Sequence, residues 1–408
     1  MIDQVANRSR LDARPSPFPS APLWLVALVT LTGTLAMHIF VPALPSAGLE
    51  LAASKSAMQM TVSLYIVGLA AGQLIYGPLS DRFGRRRVLM AGLGLYAIAS
   101  LAAALASSAD ALIVSRLFQA LGGCSGLVLG RAIIRDTGGT MDAARRLALM
   151  NLIVMVGPGL APVVGGALAT MIGWRSIFYT LCALGLLTLV LAAWLLPETS
   201  QPSKREGQSL TRNYGQLLGS RAFIGYAIGG GCATTSAYAF IASAPFIFVN
   251  QLGRPDHEIG AYLALLIFGV WLGNILTSRL ISKVALDRLM ITGNLVSVVA
   301  AITFLAIVLS GHLSVGGAVG CVFLFTVGAG VASPLALTKA VSVNPHVIGS
   351  ASGLYGFSQM AIGAICTAVA GLGDNPALTT ALVLAAAGVI GQSSFWIALR
   401  NHQPKAAA

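Results

Sequence analysis

Twelve apolar runs constrain this chain more than any other feature. They are Leu23–Pro45, Met58–Leu79, Val88–Ala106, Ala111–Gly130, Leu147–Ile172, Ile177–Leu196, Ala222–Val249, Ile259–Ser278, Leu289–Leu309, Val315–Thr338, Val347–Gly371 and Ala377–Leu399. Each is close to the roughly 20 residues that a helix needs to cross the hydrocarbon core of a bilayer. No water satisfies peptide groups there, so each run has to close its own hydrogen bonds as a helix. The charge content agrees: 9% of the 408 residues are charged, where soluble chains carry about a quarter. The expected fold is an all-α membrane protein with twelve transmembrane helices and the lipid bilayer as solvent.

The net charge of +12 could suggest a nucleic-acid partner, but its placement argues against one. Of the 25 Lys and Arg, 21 fall in the segments that an even number of spans puts on the same side as both termini. Only Lys55, Arg175 and Arg254 fall opposite, and Arg116 alone lies inside a span. That asymmetry marks the cytoplasmic side, so both termini are expected there. The first 22 residues read as a polar cytoplasmic tail ahead of an uncleaved first helix. The five cysteines all lie in apolar runs without a C-x-x-C pair, which suggests neither a disulfide framework nor a metal site.

The longest polar stretch between spans divides the chain. The expected organisation is a tail at 1–22, a six-helix half at 23–196, a cytoplasmic linker at 197–221, a second half at 222–399 and a tail at 400–408. A faint repeat supports the division. At an offset of 201 residues, Gly72 aligns with Gly273, Arg82 with Lys283, Arg87 with Arg288 and Gly92 with Gly293. Parallel six-helix repeats with a cavity between them are one architecture of membrane transporters.

The sharpest motif is Gly77-Pro-Leu-Ser-Asp-Arg-Phe-Gly-Arg-Arg-Arg87, after the second span. Its arginines suit a cytoplasmic loop, but Asp81, Gly77 and Gly84 need a further reason. The motif resembles the signature loop of the major facilitator superfamily, G-x-L-x-D-R-x-G-R-[RK]. That resemblance implies that Gly77, Asp81, Arg82, Gly84 and Arg85 form a conformational latch. Asp81 would close the cytoplasmic side against the positive N-terminus of the eleventh span.

The resemblance extends along the chain. Arg116-Leu-Phe-Gln-Ala-Leu-Gly122 is similar to the family's fourth-helix motif, R-x-x-Q-x-x-G. Gly157, Pro158, Pro162, Gly165 and Gly166 resemble the antiporter motif of the fifth helix, with Ala161 replacing its usual glycine. Two prolines there are expected to kink the helix. Pro42-Ala-Leu-Pro45, Arg131-Ala-Ile-Ile-Arg-Asp136, Gly173-Trp-Arg-Ser-Ile-Phe178 and Ser243-Ala-Pro-Phe246 resemble the bicyclomycin/chloramphenicol-resistance branch of drug:proton antiporters.

One departure matters. Where that branch has an aspartate in the first span, this chain has His38. All 13 acids lie in tails, loops or span ends, and His38 is the one histidine well inside a span. His38 and Arg116 are therefore the candidates for proton coupling, because intramembrane ionisable groups are expensive and histidine titrates near physiological pH. A structural role for His38, neutral and hydrogen-bonded, stands beside that reading. Tyr65, Tyr238 and Gln359 are the candidates for a substrate cavity.

The resemblance implies a proton-driven exporter of small amphipathic drugs or metabolites, a monomer in the bacterial inner membrane that needs no cofactor beyond the proton gradient. Without an intramembrane carboxylate, neutral or anionic substrates are favoured. A facilitator or importer is the alternative within transport. A membrane enzyme or receptor is disfavoured, since no nucleophile–base cluster, P-loop or large extramembrane domain is visible.

Overall fold

The computed structural model describes residues 21–137, 140–199, 210–344 and 347–401. The expected tails, and the linker from 200 to 209, lie largely outside these. In chain order the helices are α1 (Leu23–Ile39), α2 (Leu44–Glu50), α3 (Lys55–Phe83), α4 (Arg85–Ala104), α5 (Ala109–Thr137), α6 (Thr140–Met171), α7 (Arg175–Leu195), α8 (Leu210–Leu218), α9 (Arg221–Thr234), α10 (Ala237–Pro245), α11 (Asp256–Leu280), α12 (Leu286–Leu309), α13 (Val315–Ser342), α14 (Ile348–Ala370) and α15 (Pro376–Asn401). Eleven stretches among the described residues are long and apolar enough to cross a membrane. The twelfth is α6, whose described apolar portion is Val156–Met171.

The apolar runs predict the spans but not their continuity. Leu23–Pro45 is not one helix. It breaks after Ile39 into a 3₁₀ turn, Val41–Ala43, and resumes as α2 to Glu50. Pro42 and Pro45 cannot donate to the helical ladder, so the chain changes pitch there. Ala222–Val249 also divides, into α9, α10 and a π-helical turn at Phe246–Gln251. The linker carries a helix, α8. Its buried Leu217 and half-buried Tyr214 pack on the ends of α9 and α14.

The helices before the linker pack on one another, as do those after it. Glycines aligned by the 201-residue offset occupy equivalent contacts. A Cβ on Gly72 of α3 would strike Cys124 of α5, and one on Gly273 of α11 would strike Val327 and Gly330 of α13. Gly92 of α4 meets Ser125 of α5, as Gly293 of α12 meets Val331 and Gly328 of α13. Small residues are what let membrane helices approach this closely. The halves meet where α3 packs on α14 and α6 on α11, and where α10 touches α3 and the end of α1; the face shared by α1, α3, α10 and α14 is the seam below. The end carrying the Arg82–Arg87 loop is called the basic end below, and the other the far end.

Candidate functional site

The centre of α1 is held by side chains from three neighbours. The Tyr96 hydroxyl of α4 donates to the Thr32 carbonyl at 3.2 Å, and the Tyr65 hydroxyl of α3 to the Gly33 carbonyl at 2.6 Å. Arg116 Nη1 of α5 donates to the Ala36 carbonyl at 3.0 Å. His38 sits at the end of this rack, 7% exposed, with Nδ1 2.9 Å from the Thr34 carbonyl. A carbonyl only accepts, so Nδ1 carries the proton. Nε2 is then the basic nitrogen of the neutral ring. Nε2 is also not among the sealed, unpartnered atoms of the described residues.

Across the seam the His38 ring stands edge-on to Tyr238 of α10, with centroids 6.2 Å apart and planes at 70°. Tyr238 lies against Gly363 of α14, where a Cβ would come within 3.0 Å of its ring. One turn earlier on α14, Gln359 Nε2 donates to Thr234 Oγ1 at 2.9 Å, and Thr235 Oγ1 donates to the Gln359 carbonyl at 2.6 Å. His38 and Tyr238 thus meet from α1 and α10, and Tyr238 packs on α14 one turn from Gln359, whose own amide turns to Thr234. Gln73 of α3, on the opposite side of the seam, abuts Gly356 of α14. These groups offer hydrogen bonds and apolar rings, and no carboxylate.

Arg116 and Tyr65 are placed differently. Both are 0% exposed inside the first half. The Arg116 guanidinium lies 4.0 Å from the Tyr65 ring centroid, 5.6 Å from that of Phe40 and 5.7 Å from that of Phe178. Nη1 also donates to Gln119 Oε1 at 2.6 Å, whose Nε2 donates to Ser100 Oγ at 2.8 Å. Its Nε and Nη2 have no partner, so ring faces carry that side of the charge. Arg116 thus braces α1 two residues before His38 and has no open path to the seam.

At the basic end, α3 runs on through Gly77 and Pro78, and Gly84 alone makes the turn, at φ +95°. Asp81 pairs with Arg85 at 2.6 Å and is 62% exposed, while Arg85 Nε reaches Asp136 of α5 at 3.0 Å. Among the described residues, no polar contact runs from Asp81 to α14. Arg82 stacks over Phe83 at 5.2 Å. Glu198, at the start of the linker, accepts from the backbone N–H of Arg85 at 2.9 Å and of Arg86 at 3.4 Å. Its carboxylate occupies the space that a Cβ on Gly84 would need. In the sequence Glu198 is one more acid at a span end, because nothing local ties it to a loop 113 residues earlier.

In α6, Gly157 lies against Leu31 and Gly165 against the Ile39 carbonyl, with Pro158 and Pro162 inside the helix. Gly166 faces Pro42, and the Pro162 carbonyl lies against Gly260 of α11. The segment is wedged between the break in α1 and the second half. At the far end Gln59 Nε2 donates to Ser243 Oγ at 2.8 Å, and Lys55 Nζ to the Asp374 carbonyl at 3.2 Å, both across the seam.

Among the described residues, no group of three or more His, Cys, Asp or Glu could hold a metal. The halves thus meet along an interface that carries neutral polar groups and His38. The chain is 28% identical over 381 residues to the uncharacterized MFS-type transporter YdgK of Bacillus subtilis, covering 91% of this chain and 94% of that one. It is 25% identical over 349 residues to a bicyclomycin resistance protein homolog of Haemophilus influenzae, covering 83% and 86%. The crystal structure of a D-xylose–proton symporter superposes with a TM-score of 0.74 over 92% of this chain and 96% of that chain, at 16% identity, which shows a shared fold. The family model described as Major Facilitator Superfamily matches residues 26–367. The chain belongs to the Major Facilitator Superfamily and is a transporter.

Proposed function

We propose that this transporter exports small neutral amphipathic compounds, including antibiotics, in exchange for protons, and that His38 is the group that exchanges. The observation that carries the reading is His38 itself: an ionisable side chain at the seam, its Nδ1 committed to Thr34 and its Nε2 free to take a proton. Every described acid lies at a helix end or in a loop. A proton-driven cycle needs a group whose charge changes as the seam opens and closes, and histidine does so near physiological pH. The relative named for bicyclomycin resistance supports export of antibiotics.

The substrate class follows from what faces the seam. Without a carboxylate, a lipophilic cation finds no counter-charge. Arg116 is enclosed, so an anion finds none there either. The basic end would face the cytoplasm of a bacterial cell, in keeping with the charge asymmetry. With Asp81 exposed at the basic end and the halves bonded together at the far end, the conformation suits loading from the cytoplasm.

Purified protein in proteoliposomes under an imposed pH gradient tests this. Wild type should move a neutral antibiotic such as chloramphenicol against its gradient, with ethidium a poor competitor. His38→Ala should lose pH-driven accumulation by at least tenfold while still binding the antibiotic, and His38→Asp should regain part of the coupling. Undiminished coupling in His38→Ala would sink the assignment. Net movement of substrate into right-side-out vesicles would favour import instead.

A further inference from the structure

On the outer face of the second half, away from the seam, α12 and α13 enclose a groove of about 390 Å³. Small Ala300 and Cys321 form its floor, exposed Val299 and Leu324 flank it, and Thr292 and Thr303 lie toward its two ends. Nearer the basic end the two helices cross tightly, where Gly293 meets the Gly328 carbonyl and Ser297 Oγ donates to the Phe325 carbonyl at 2.8 Å. The threonines leave the groove without polar demand. Thr292 Oγ1 donates to the Arg288 carbonyl at 2.8 Å, and Thr303 Oγ1 to the Val299 carbonyl at 2.9 Å. Water needs two or more polar partners to settle in such a space, so the groove suits an apolar occupant.

Its length matches one leaflet. From Thr292 to Thr303 the helix rises about 16 Å, against roughly 15 Å for half of the hydrocarbon core. The same stripe of α12 continues to Arg288, one turn before Thr292 and in the first turn of the helix. Lys283 and Arg279 join it from the short turn and the end of α11, and all three cations are exposed. Among the described residues none of the three has an acidic partner, and the neighbouring Asp287 is paired with Lys339 at 2.6 Å. The first half differs here. Its basic loop holds Asp81 against Arg85, whereas the 201-residue offset puts Ser282 at the matching position of the second half. Three uncompensated cations thus stand at the mouth of an apolar groove, where long basic side chains can lay their stems on apolar surface and keep their heads in the headgroup layer.

We propose that the α12–α13 groove binds an acyl chain of an anionic phospholipid from the leaflet at the basic end, with the lipid phosphate held by Arg288, Lys283 and Arg279. Two kinds of contact recognise the two parts of the ligand. The groove takes the chain, and the cations take the headgroup, each Lys or Arg beside an anionic lipid surface adding about fivefold to binding. A zwitterionic lipid would bring a cation of its own against three others. A free phosphate would leave the groove unfilled. The site lies outside the seam and depends on neither the substrate nor the coupling group.

Native mass spectrometry of the full chain in detergent, titrated with dioleoylphosphatidylglycerol or dioleoylphosphatidylcholine, tests this. The acyl chains are identical, so only the headgroup differs. The first phosphatidylglycerol should bind at least about tenfold more tightly than the first phosphatidylcholine. Arg288→Gln and Lys283→Gln should each weaken phosphatidylglycerol by about fivefold and leave phosphatidylcholine unchanged. Arg87→Gln removes the cation that the offset aligns with Arg288, but in the first half, and should change neither. Val299→Trp, a substitution at an exposed position, should lay its ring across the groove and weaken phosphatidylglycerol with every cation in place. Glycerol 1-phosphate, the headgroup without chains, should not displace the lipid even in large excess. Equal affinity for the two lipids would overturn the proposal. So would equal losses in Arg87→Gln and Arg288→Gln, which would mean net charge alone, or undiminished binding in Val299→Trp, or displacement by glycerol 1-phosphate.

Discussion

At the scale of single residues, His38 and Arg116 look alike in the sequence, as the ionisable groups inside the spans, and diverge in the structure. Which of them meets the seam depends on helix rotation and on neighbours that no local pattern reveals. His38 faces Tyr238 across the halves, whereas Arg116 is walled in by Tyr65, Phe40 and Phe178. Arg116→Lys keeps the charge but loses the planar fork that serves Ala36, Gln119 and the rings. It should lower stability in detergent by on the order of 1–3 kcal/mol, read as an earlier unfolding transition. Tyr65 was a plausible cavity residue from its helix alone, but its hydroxyl is spent on the Gly33 carbonyl. Tyr65→Phe retains the ring over Arg116 and should cost roughly 1 kcal/mol of stability, leaving the dissociation constant for substrate unchanged in a binding titration. Tyr96, with the same role on Thr32, gives no sequence signal, because a tyrosine in an apolar run is usually packing.

At the scale of elements, prolines mark one helix break and fail to mark another. Pro42 and Pro45 announce the interruption of α1, whereas the division of α9 from α10 at Thr235–Ser236 has neither proline nor glycine at the break. Thr235 instead gives its hydroxyl to the Gly231 and Gln359 carbonyls, and the Gln359 bond belongs to the packing of α14. In the signature loop Gly84 was legible as a turn residue, while Gly77 is an ordinary position in α3 with nothing near it. The start of α4 is capped from a distance. Glu198 supplies both a hydrogen-bond acceptor and a negative charge to the first turn, and helix N-termini favour both. Glu198→Ala should therefore destabilise by roughly 1 kcal/mol, measured by thermal unfolding in detergent. Gly84→Ala should be worse, since it combines a positive φ with collision against that carboxylate. Equal stability of Glu198→Ala and wild type would show that the cap is idle.

At the scale of the whole molecule, the spans were legible because their constraint is solvent rather than contact. A lipid core demands helices of a certain length, so spans can be read without a fold, and the excess of cations on one side of them supports the proposed orientation. Orientation remains open to a direct check in intact cells. A cysteine at exposed Lys283 should resist a membrane-impermeant maleimide, while one at exposed Leu49 should react, and the reverse would invert the topology. The 201-residue offset was visible because close helix crossings require small residues at matching heights, as Gly72 and Gly273 show. What the amino-acid sequence determined alone was thus the number of spans, their helical nature, the excess of cations at one end and the scarcity of ionisable groups between. Tertiary structure alone decided which polar groups meet. The seam is assembled from α1, α3, α10 and α14, whose residues lie up to about 320 positions apart, and a helix presents a side chain to a partner only once its rotation is set by every neighbour at once. That is why His38 meets Tyr238 of the other half while Arg116 stays enclosed in the first, and why the Gln59–Ser243 bond could be found in no stretch of sequence.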